Sequence, residues 1–153
     1  MENGSKVKGV EAGLEARKWN GEDRKDEPIK SYKDLRVYKI TYQAAIEVLI
    51  KILPKLPKEE RFDLGDQLRR SVKAVPRLIA EGYAKRHQPK GFRKYLDDAM
   101  AEVNETSVGL SQCRDAYYKF VNPKQCEKLI DVYNIAGKQL YRLGEVWTNF
   151  RRR

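Results

Sequence analysis

The most regular apolar spacing in the chain lies in residues 92–120, which read FRKYLDDAMAEVNETSVGLSQCRDAYYKF. Mainly apolar side chains recur there every three or four residues, which is the spacing of one face of an α-helix. Their positions are Phe92, Leu96, Ala99, Val103, Thr106, Leu110, Cys113, Tyr117 and Phe120. The segment therefore predicts a long amphipathic helix, which needs other elements to cover this face.

Three other segments have the same period, and they cover about residues 31–53, 58–86 and 123–150. Ser31 and Asp34 have the spacing of a capping box at the start of the first segment. The connectors between the segments are short and contain proline or glycine, so consecutive helices have to lie antiparallel. The chain therefore predicts an all-α fold, an antiparallel up-down-up-down four-helix bundle.

The predicted bundle covers residues 31–150 and is flanked by two tails. Residues 1–30 contain four glycines, scattered charges and few large apolar side chains, a composition that predicts a mostly disordered tail. Residues 151–153 are three arginines and are predicted as a short basic C-terminal tail. At 153 residues, the chain has the length of one such domain.

Composition also bears on location and redox state. The longest apolar stretch, residues 44–53, is interrupted by Glu47 and Lys51, so no segment is expected to span a membrane. The N-terminus lacks the apolar pattern of a signal peptide, which favours a cytoplasmic protein with no membrane partner. Cys113 and Cys126 are too few for a disulfide scaffold and fall at different levels of the predicted helical hairpin, so we expect two free thiols.

The sequence contains none of the usual catalytic motifs. It has one histidine, His87, and no glycine-rich phosphate loop or metal motif built from His and Cys. Asp97 and Asp98 are adjacent, so their carboxylates diverge on a helix instead of converging on a substrate. We expect no catalytic residues, no metal site and no cofactor, and hence a protein that is not an enzyme.

The net charge of +10 belongs to the chain after residue 30, since residues 1–30 carry seven basic and seven acidic side chains. Nine cations cluster in the second helix and around the turn that follows it. These candidate nucleic-acid contacts are Arg69, Arg70, Lys73, Arg77, Lys85, Arg86, Lys90, Arg93 and Lys94. Cations spaced along a helix can meet successive phosphates, so the cluster predicts nucleic-acid binding without base readout. A solvated face that only aids solubility is the alternative.

Two further faces predict contacts between subunits. In the first helix, a second apolar stripe lies opposite the predicted core positions and comprises Val37, Ile40, Ala44 and Val48. In the third helix, three acids point outward, namely Asp98, Glu102 and Glu105. An anionic face that complements the cationic one suits head-to-tail association into a ring. Ring assembly and nucleic-acid binding therefore compete for the same cations.

Residues 67–72 (QLRRSV), 75–76 (VP) and 79–83 (IAEGY) resemble the signature of a known family. It comprises the four-helix-bundle proteins encoded by intervening sequences in bacterial 23S ribosomal RNA genes. Its superfamily includes the accessory variability determinant proteins of diversity-generating retroelements. Residues 35–38 (LRVY) and 92–96 (FRKYL) fit the same signature.

The resemblance covers about residues 31–148 and implies a homopentameric, barrel-like assembly of bundles with a basic surface. In the retroelement branch, it implies a pentamer that binds the reverse transcriptase and its RNA template during mutagenic cDNA synthesis. This chain departs from the family pattern at two positions, with Leu78 where asparagine is usual and Arg77 where a small residue is usual.

Residue pattern and resemblance together favour a non-enzymatic, oligomeric nucleic-acid-binding accessory protein. Its expected partners are further copies of itself in a pentamer, RNA or DNA, and the reverse transcriptase of a diversity-generating retroelement. The alternative hypothesis is a protein-interaction scaffold of the ribosomal branch, whose charged faces serve ring assembly.

Overall fold

The computed structural model describes the backbone of residues 28–151 and the side chains of residues 28–147. Over this range the protein has four long helices, which are α1 (Arg36–Glu47), α2 (Leu64–Ala84), α3 (Pro89–Ala116) and α4 (Pro123–Arg151). Helix α1 packs against α2 and α4, and α3 packs against the same two helices. The predicted all-α four-helix bundle is confirmed.

The predicted tails fall largely outside the described part of the chain. Of the N-terminal tail, residues 1–27 lie outside it, so the expectation of disorder there stays a prediction. At the other end, α4 extends to Arg151, the first residue assigned to the C-terminal tail, while Arg152 and Arg153 lie outside the described residues.

Local hydrogen bonds explain where two of the helical segments begin. The Asp34 carboxylate accepts bonds from the backbone N–H groups of Lys30 at 2.8 Å and Ser31 at 3.0 Å, which lower its pKa. The Ser31 hydroxyl accepts the N–H of Lys33 at 3.2 Å. The predicted capping box is therefore present, although it caps a separate 3₁₀ turn just before α1. At α4, the Asn122 side chain accepts the N–H of Lys124 at 3.0 Å and caps that helix.

Two predicted helix boundaries need correction. Helix α3 ends at Ala116, so Tyr117 and Phe120 lie in the connector to α4 instead of continuing the helix. The second helix begins at Leu64 and is preceded by a 3₁₀ turn at Lys58–Glu60. In both places the chain changes direction between antiparallel helices, which an apolar repeat alone does not reveal.

The assignment of one apolar stripe of the first helix to a subunit interface is wrong, because these residues form the core of the bundle. Val37, Ala44 and Val48 are buried, and Ile40 is half-buried at the edge of the core. Both stripes of this helix are mainly apolar. The polar residue Thr41 lies on the same side as Val37, Ala44 and Val48. In the structure the Thr41 hydroxyl donates to the carbonyl oxygen of Val37 at 2.7 Å, so a buried polar atom has its partner.

The sequence pattern places a different stripe of this helix in the core, and that prediction is right for three of its six positions. Leu35, Ala45 and Ile52 are buried, whereas Tyr38, Tyr42 and Leu49 are not fully buried. Tyr42 is 49% exposed, while Tyr38 and Leu49 are half-buried against the edge of the core. The rings of Tyr38 and Tyr42 stack at 5.9 Å, and tyrosine hydroxyls tolerate this boundary because they can remain in contact with water. The chain continues from α1 through a π-helical turn, Val48–Ile52, whose ends Val48 and Ile52 are both buried.

Glycines bring α2 and α3 close together at both ends of their contact. A Cβ atom on Gly82 would lie 2.8 Å from the Cβ of Tyr95, and one on Gly109 would lie 2.6 Å from Leu68 Cδ2. Between these points the Thr106 hydroxyl donates to the Ser71 hydroxyl at 2.9 Å. The order of these contacts shows that the two helices are antiparallel.

We expect Gly82→Ala to destabilise the bundle and Gly137→Ala to stabilise it, although both replace a helical glycine. Alanine in a helix interior gains about 0.5–1 kcal/mol over glycine. At Gly137 this gain is kept, because the nearest atom, Val103 Cγ1, would lie 3.8 Å from the new Cβ. At Gly82 the contact with Tyr95 forces the helices apart at a cost of about 1–3 kcal/mol. Urea unfolding followed by circular dichroism measures the free energy of unfolding of both variants. Changes of the same sign in this free energy would contradict the packing described here.

Both cysteines are free and buried, as predicted. Burial raises the pKa of the Cys113 thiol to about 12, and it also raises the pKa of the Cys126 thiol. At neutral pH both groups are therefore protonated thiols within the core.

Candidate nucleic-acid interface

The outer side of α2 carries three exposed cations, Arg70, Lys73 and Arg77. Their spacing of three and four residues places them on one side of the helix, away from Leu68, Val72 and the other core positions. Lys73 and Arg77 make no ion pair with any described residue. Arg70 has a side chain that is 73% exposed and lies 3.3 Å from the Asp66 carboxylate.

Asp66 serves two guanidinium groups, so it cannot neutralise both. It lies 3.8 Å from Arg69 as well as 3.3 Å from Arg70. Arg69 is the less exposed of the two. Surface pairs of this kind contribute little to stability, and they rearrange readily when a polyanion competes for the cation.

The turn after α2 and the first residues of α3 add two exposed lysines, Lys85 and Lys90, and the turn also contains Arg86, which contacts other parts of the protein. Lys85 and Lys90 have no ion pair within the described residues. The Arg86 guanidinium lies 4.3 Å from the centre of the Tyr83 ring and donates to the Tyr83 carbonyl oxygen at 3.0 Å. The Arg86 carbonyl oxygen accepts the indole N–H of Trp147 at 3.1 Å, so this residue ties the turn to α4.

Two further cations in the first turns of α3, Arg93 and Lys94, are paired with carboxylates. Arg93 lies 3.5 Å from Asp97 and 3.3 Å from Glu145, a contact that directs it towards α4. Lys94 donates to Asp98 at 3.1 Å, and this hydrogen bond raises the pKa of the lysine. Neither side chain is available for phosphate without giving up a carboxylate partner.

The structure therefore divides the nine predicted contacts into two groups. Four of them, Arg69, Arg86, Arg93 and Lys94, are held by neighbouring carboxylates, a carbonyl or an aromatic ring. The remaining five are exposed and, apart from Arg70, which shares Asp66 with Arg69, form no ion pair with a described residue; we call them the cation row: Arg70, Lys73, Arg77, Lys85 and Lys90. Glu81 is an exposed carboxylate between Arg77 and Lys85 in the sequence, and it forms no ion pair among the described residues.

The three acids predicted for ring assembly lie close to one another along α3. Asp98 is paired with Lys94, and Glu105 lies in the groove between α2 and α3 beside Gln67. Burial raises the pKa of Glu102, and the nearby carboxylates of Glu105 and Asp98 raise it further. A contact of these acids with another subunit stays a prediction.

The two departures from the family pattern fall on different sides of α2. Arg77 is exposed and contributes to the cation row, while Leu78 is half-buried and packs against the core.

Sequence reasoning missed a group of exposed aromatic side chains at one end of the bundle. Phe62 lies in the connector between α1 and α2, and Tyr118 and Phe120 lie in the connector between α3 and α4. The helical period predicts Phe120 to be in the core, but its side chain is 53% exposed. The signal available in the sequence was their position beside the connectors, since Asn122 and Pro123 mark the end of one of them.

Within the described residues, no helix combines the length and the apolar character that crossing a bilayer requires. No curated protein and no solved structure matches the chain. The family model described as 23S rRNA-intervening sequence protein matches residues 33–142, which is more than two thirds of the chain and includes the whole cation row. The four-helix bundle and this match agree with the signature in α2, and the chain belongs to the 23S rRNA-intervening sequence protein family.

Proposed function

We propose that this protein is a non-enzymatic, oligomeric accessory protein that binds the phosphates of RNA or DNA through the cation row. The observation that carries the proposal is the exposure of these five side chains. Lys73, Arg77, Lys85 and Lys90 have no carboxylate partner among the described residues. Cations that are not neutralised within their own subunit give a polyanion its binding energy by releasing its counterions.

The spacing on α2 suits a phosphate backbone. From Arg70 to Arg77 the helix rises about 10 Å, so its three cations can face more than one phosphate along a strand. Point charges at this spacing position a backbone without reading bases. The proposed binding is therefore independent of sequence and sensitive to salt.

We further propose that the protein acts in the cytoplasm as a homopentamer beside the reverse transcriptase of a diversity-generating retroelement. Membership of the family supports this together with the resemblance noted above. The reaction it would assist is RNA-templated cDNA synthesis. A gene for a reverse transcriptase next to this one, with a variable repeat nearby, is the expected genomic context. A location inside a 23S rRNA gene would contradict the retroelement assignment.

A second candidate function is a protein-interaction scaffold, and the acids of α3 favour it. Burial is the main cause that raises the pKa of Glu102, and the neighbouring carboxylates of Glu105 and Asp98 raise it further, so the charged form of Glu102 is disfavoured within one subunit. A cationic face of a neighbouring copy would relieve this repulsion. In this case, salt would dissociate the ring, and the affinity for RNA would be low.

The two candidates differ in the salt dependence of RNA binding. With a fluorescent 20-nucleotide RNA, we expect a plot of log K against log salt with a slope of about −3.5 to −4.5 for five phosphate contacts. Affinity would then fall roughly 100- to 500-fold between 50 and 200 mM salt. Fluorescence anisotropy measures the affinity, and sedimentation at the same salt concentrations reports the oligomeric state. No binding at 50 mM salt, combined with salt-induced dissociation of the oligomer, would favour the scaffold.

A further inference from the structure

One end of the bundle displays three aromatic rings to solvent. Phe62 is 87% exposed, Tyr118 is 56% exposed and Phe120 is 53% exposed. Because the helices alternate in direction, the connector that follows α1 and the connector that follows α3 lie at the same end. We call the surface formed by Phe62, Tyr118 and Phe120 the aromatic end. A phenylalanine this exposed gains nothing from folding, since its ring stays in water.

Hydrogen bonds hold the two connectors together. The Tyr117 hydroxyl donates to the Glu60 carboxylate, whose other oxygen accepts the N–H of Leu64 at 3.3 Å. The Tyr117 carbonyl oxygen accepts the N–H groups of Phe120 at 2.9 Å and of the buried Val121 at 3.0 Å. Phe62 follows Glu60 by two residues, and Tyr118 follows Tyr117 directly, so this bond holds the two connector segments that carry the exposed rings beside each other.

The aromatic end is surrounded by an excess of positive charge. Five exposed cations on the connectors and the adjacent first turn of α4 form no ion pair with any described residue, and they are Lys55, Lys58, Arg61, Lys119 and Lys124. The exposed acids there are Glu59, Asp63 and Asp115. Asp115 is paired with Arg114 at 2.8 Å, and Glu60 is engaged by Tyr117 and Leu64. An apolar protein partner would have to desolvate these cations, whereas a polyanion would neutralise them.

We infer that the aromatic end binds unpaired bases of a single-stranded nucleic acid by stacking. Proteins that bind single strands combine exposed aromatic rings with cations that follow the backbone. The cation row continues this surface, because α2 begins two residues after Phe62 and Arg70 lies about 9 Å further along the helix axis. The bases of one strand stack on the connectors while its phosphates follow α2. The inference rests on the proposed function and adds the kind of nucleic acid that is bound.

The test distinguishes binding to bases from binding to phosphates by using two 12-nucleotide probes of equal charge. One is an adenine ribo-oligonucleotide, and the other is an abasic oligonucleotide that keeps the sugar-phosphate backbone. We expect the triple variant Phe62→Ala, Tyr118→Ala, Phe120→Ala to bind the adenine probe at least about tenfold more weakly than the wild type does. Its affinity for the abasic probe and the slope of its salt dependence should not change, because its charge is that of the wild type.

A matched control is Tyr42→Ala, which removes a half-exposed ring from α1, away from the aromatic end. It should leave the affinity for both probes unchanged, and thermal unfolding of both variants checks that the bundle is intact. If the triple variant binds adenine as tightly as the wild type, or loses affinity for both probes equally, the stacking inference is wrong and the proposed function stands. If the wild type binds neither probe at low salt, both proposals are wrong.

Discussion

Replacing Val48 with aspartate is expected to unfold the bundle. Val48 is fully buried among the core side chains of its own subunit, so the new carboxylate has no access to water. Burying an unpaired carboxylate costs several kcal/mol, and losing the apolar burial of valine adds about 1.5–3 kcal/mol. A domain of this size has roughly 5–15 kcal/mol of total stability. Circular dichroism should therefore show a fall in Tm of about 15 °C or more, or no folded protein at 25 °C.

The control for Val48→Asp is Ile50→Asp, two residues further along the same segment. Ile50 is 47% exposed, so its replacement should change the free energy of unfolding by less than about 1 kcal/mol. Sedimentation of both variants distinguishes core from interface. A Val48→Asp protein that keeps its Tm and becomes monomeric would restore the interface assignment and contradict the burial described above. A monomeric Ile50→Asp protein would instead place the subunit contact on the outer side of this segment.

Reversing three charges of the cation row is expected to abolish most RNA binding. In the variant Arg70→Glu, Lys73→Glu, Arg77→Glu, three phosphate contacts are lost and three repelling carboxylates replace them. The salt slope should decrease in magnitude by about 2 to 3, and affinity at 0.1 M salt should fall about 100-fold or more. All three side chains are exposed, so the bundle should keep its helical circular dichroism and lose little stability.

Exposed cations on α4 provide a control with the same change in net charge. Lys128→Glu, Lys138→Glu and Arg142→Glu together remove three exposed positive charges that form no ion pair with any described residue. This variant should weaken RNA binding only through the change in overall charge, several-fold less than the α2 variant does. Equal losses in the two variants would mean that net charge, and not the cation row, attracts the nucleic acid. A dissociated oligomer with unchanged RNA affinity in the α2 variant would support the scaffold.

The fold could be predicted from the sequence because each helix repeats its apolar side chains over several turns. The positions of α3 from Phe92 to Cys113 are buried as their spacing predicted. The orientation of α1 could not be predicted, because it has apolar residues on two sides. Thr41 lies within the buried face, where its hydroxyl donates to a backbone carbonyl of its own helix. A hydropathy pattern counts such a residue as polar and so misplaces the centre of the buried face, which includes Ala44 and Val48 as well as Ala45 and Ile52.

The sequence could predict which cations lie near each other in the candidate interface, but not which of them are paired within the protein. The sequence grouped nine cations by their proximity along the chain. Which of them stay exposed depends on tertiary contacts such as that of Arg93 with Glu145, which is 52 residues away. The stacking of Arg86 on Tyr83 and the outward position of Phe62 likewise depend on how the turns are folded. Side-chain pairing across helices is therefore the information that the linear pattern lacks.

Because both thiols are buried, their reaction with a reagent reports on separation of the helices around them. Alkylating reagents react with the thiolate, which Cys113 scarcely forms in the folded state because burial raises its pKa to about 12. Cys113 and Cys126 sit near the two ends of the α3–α4 connector, so labelling at either one requires that end of the core to separate. The rate at which a thiol-specific dye is taken up thus measures how often the helices part, without any engineered probe.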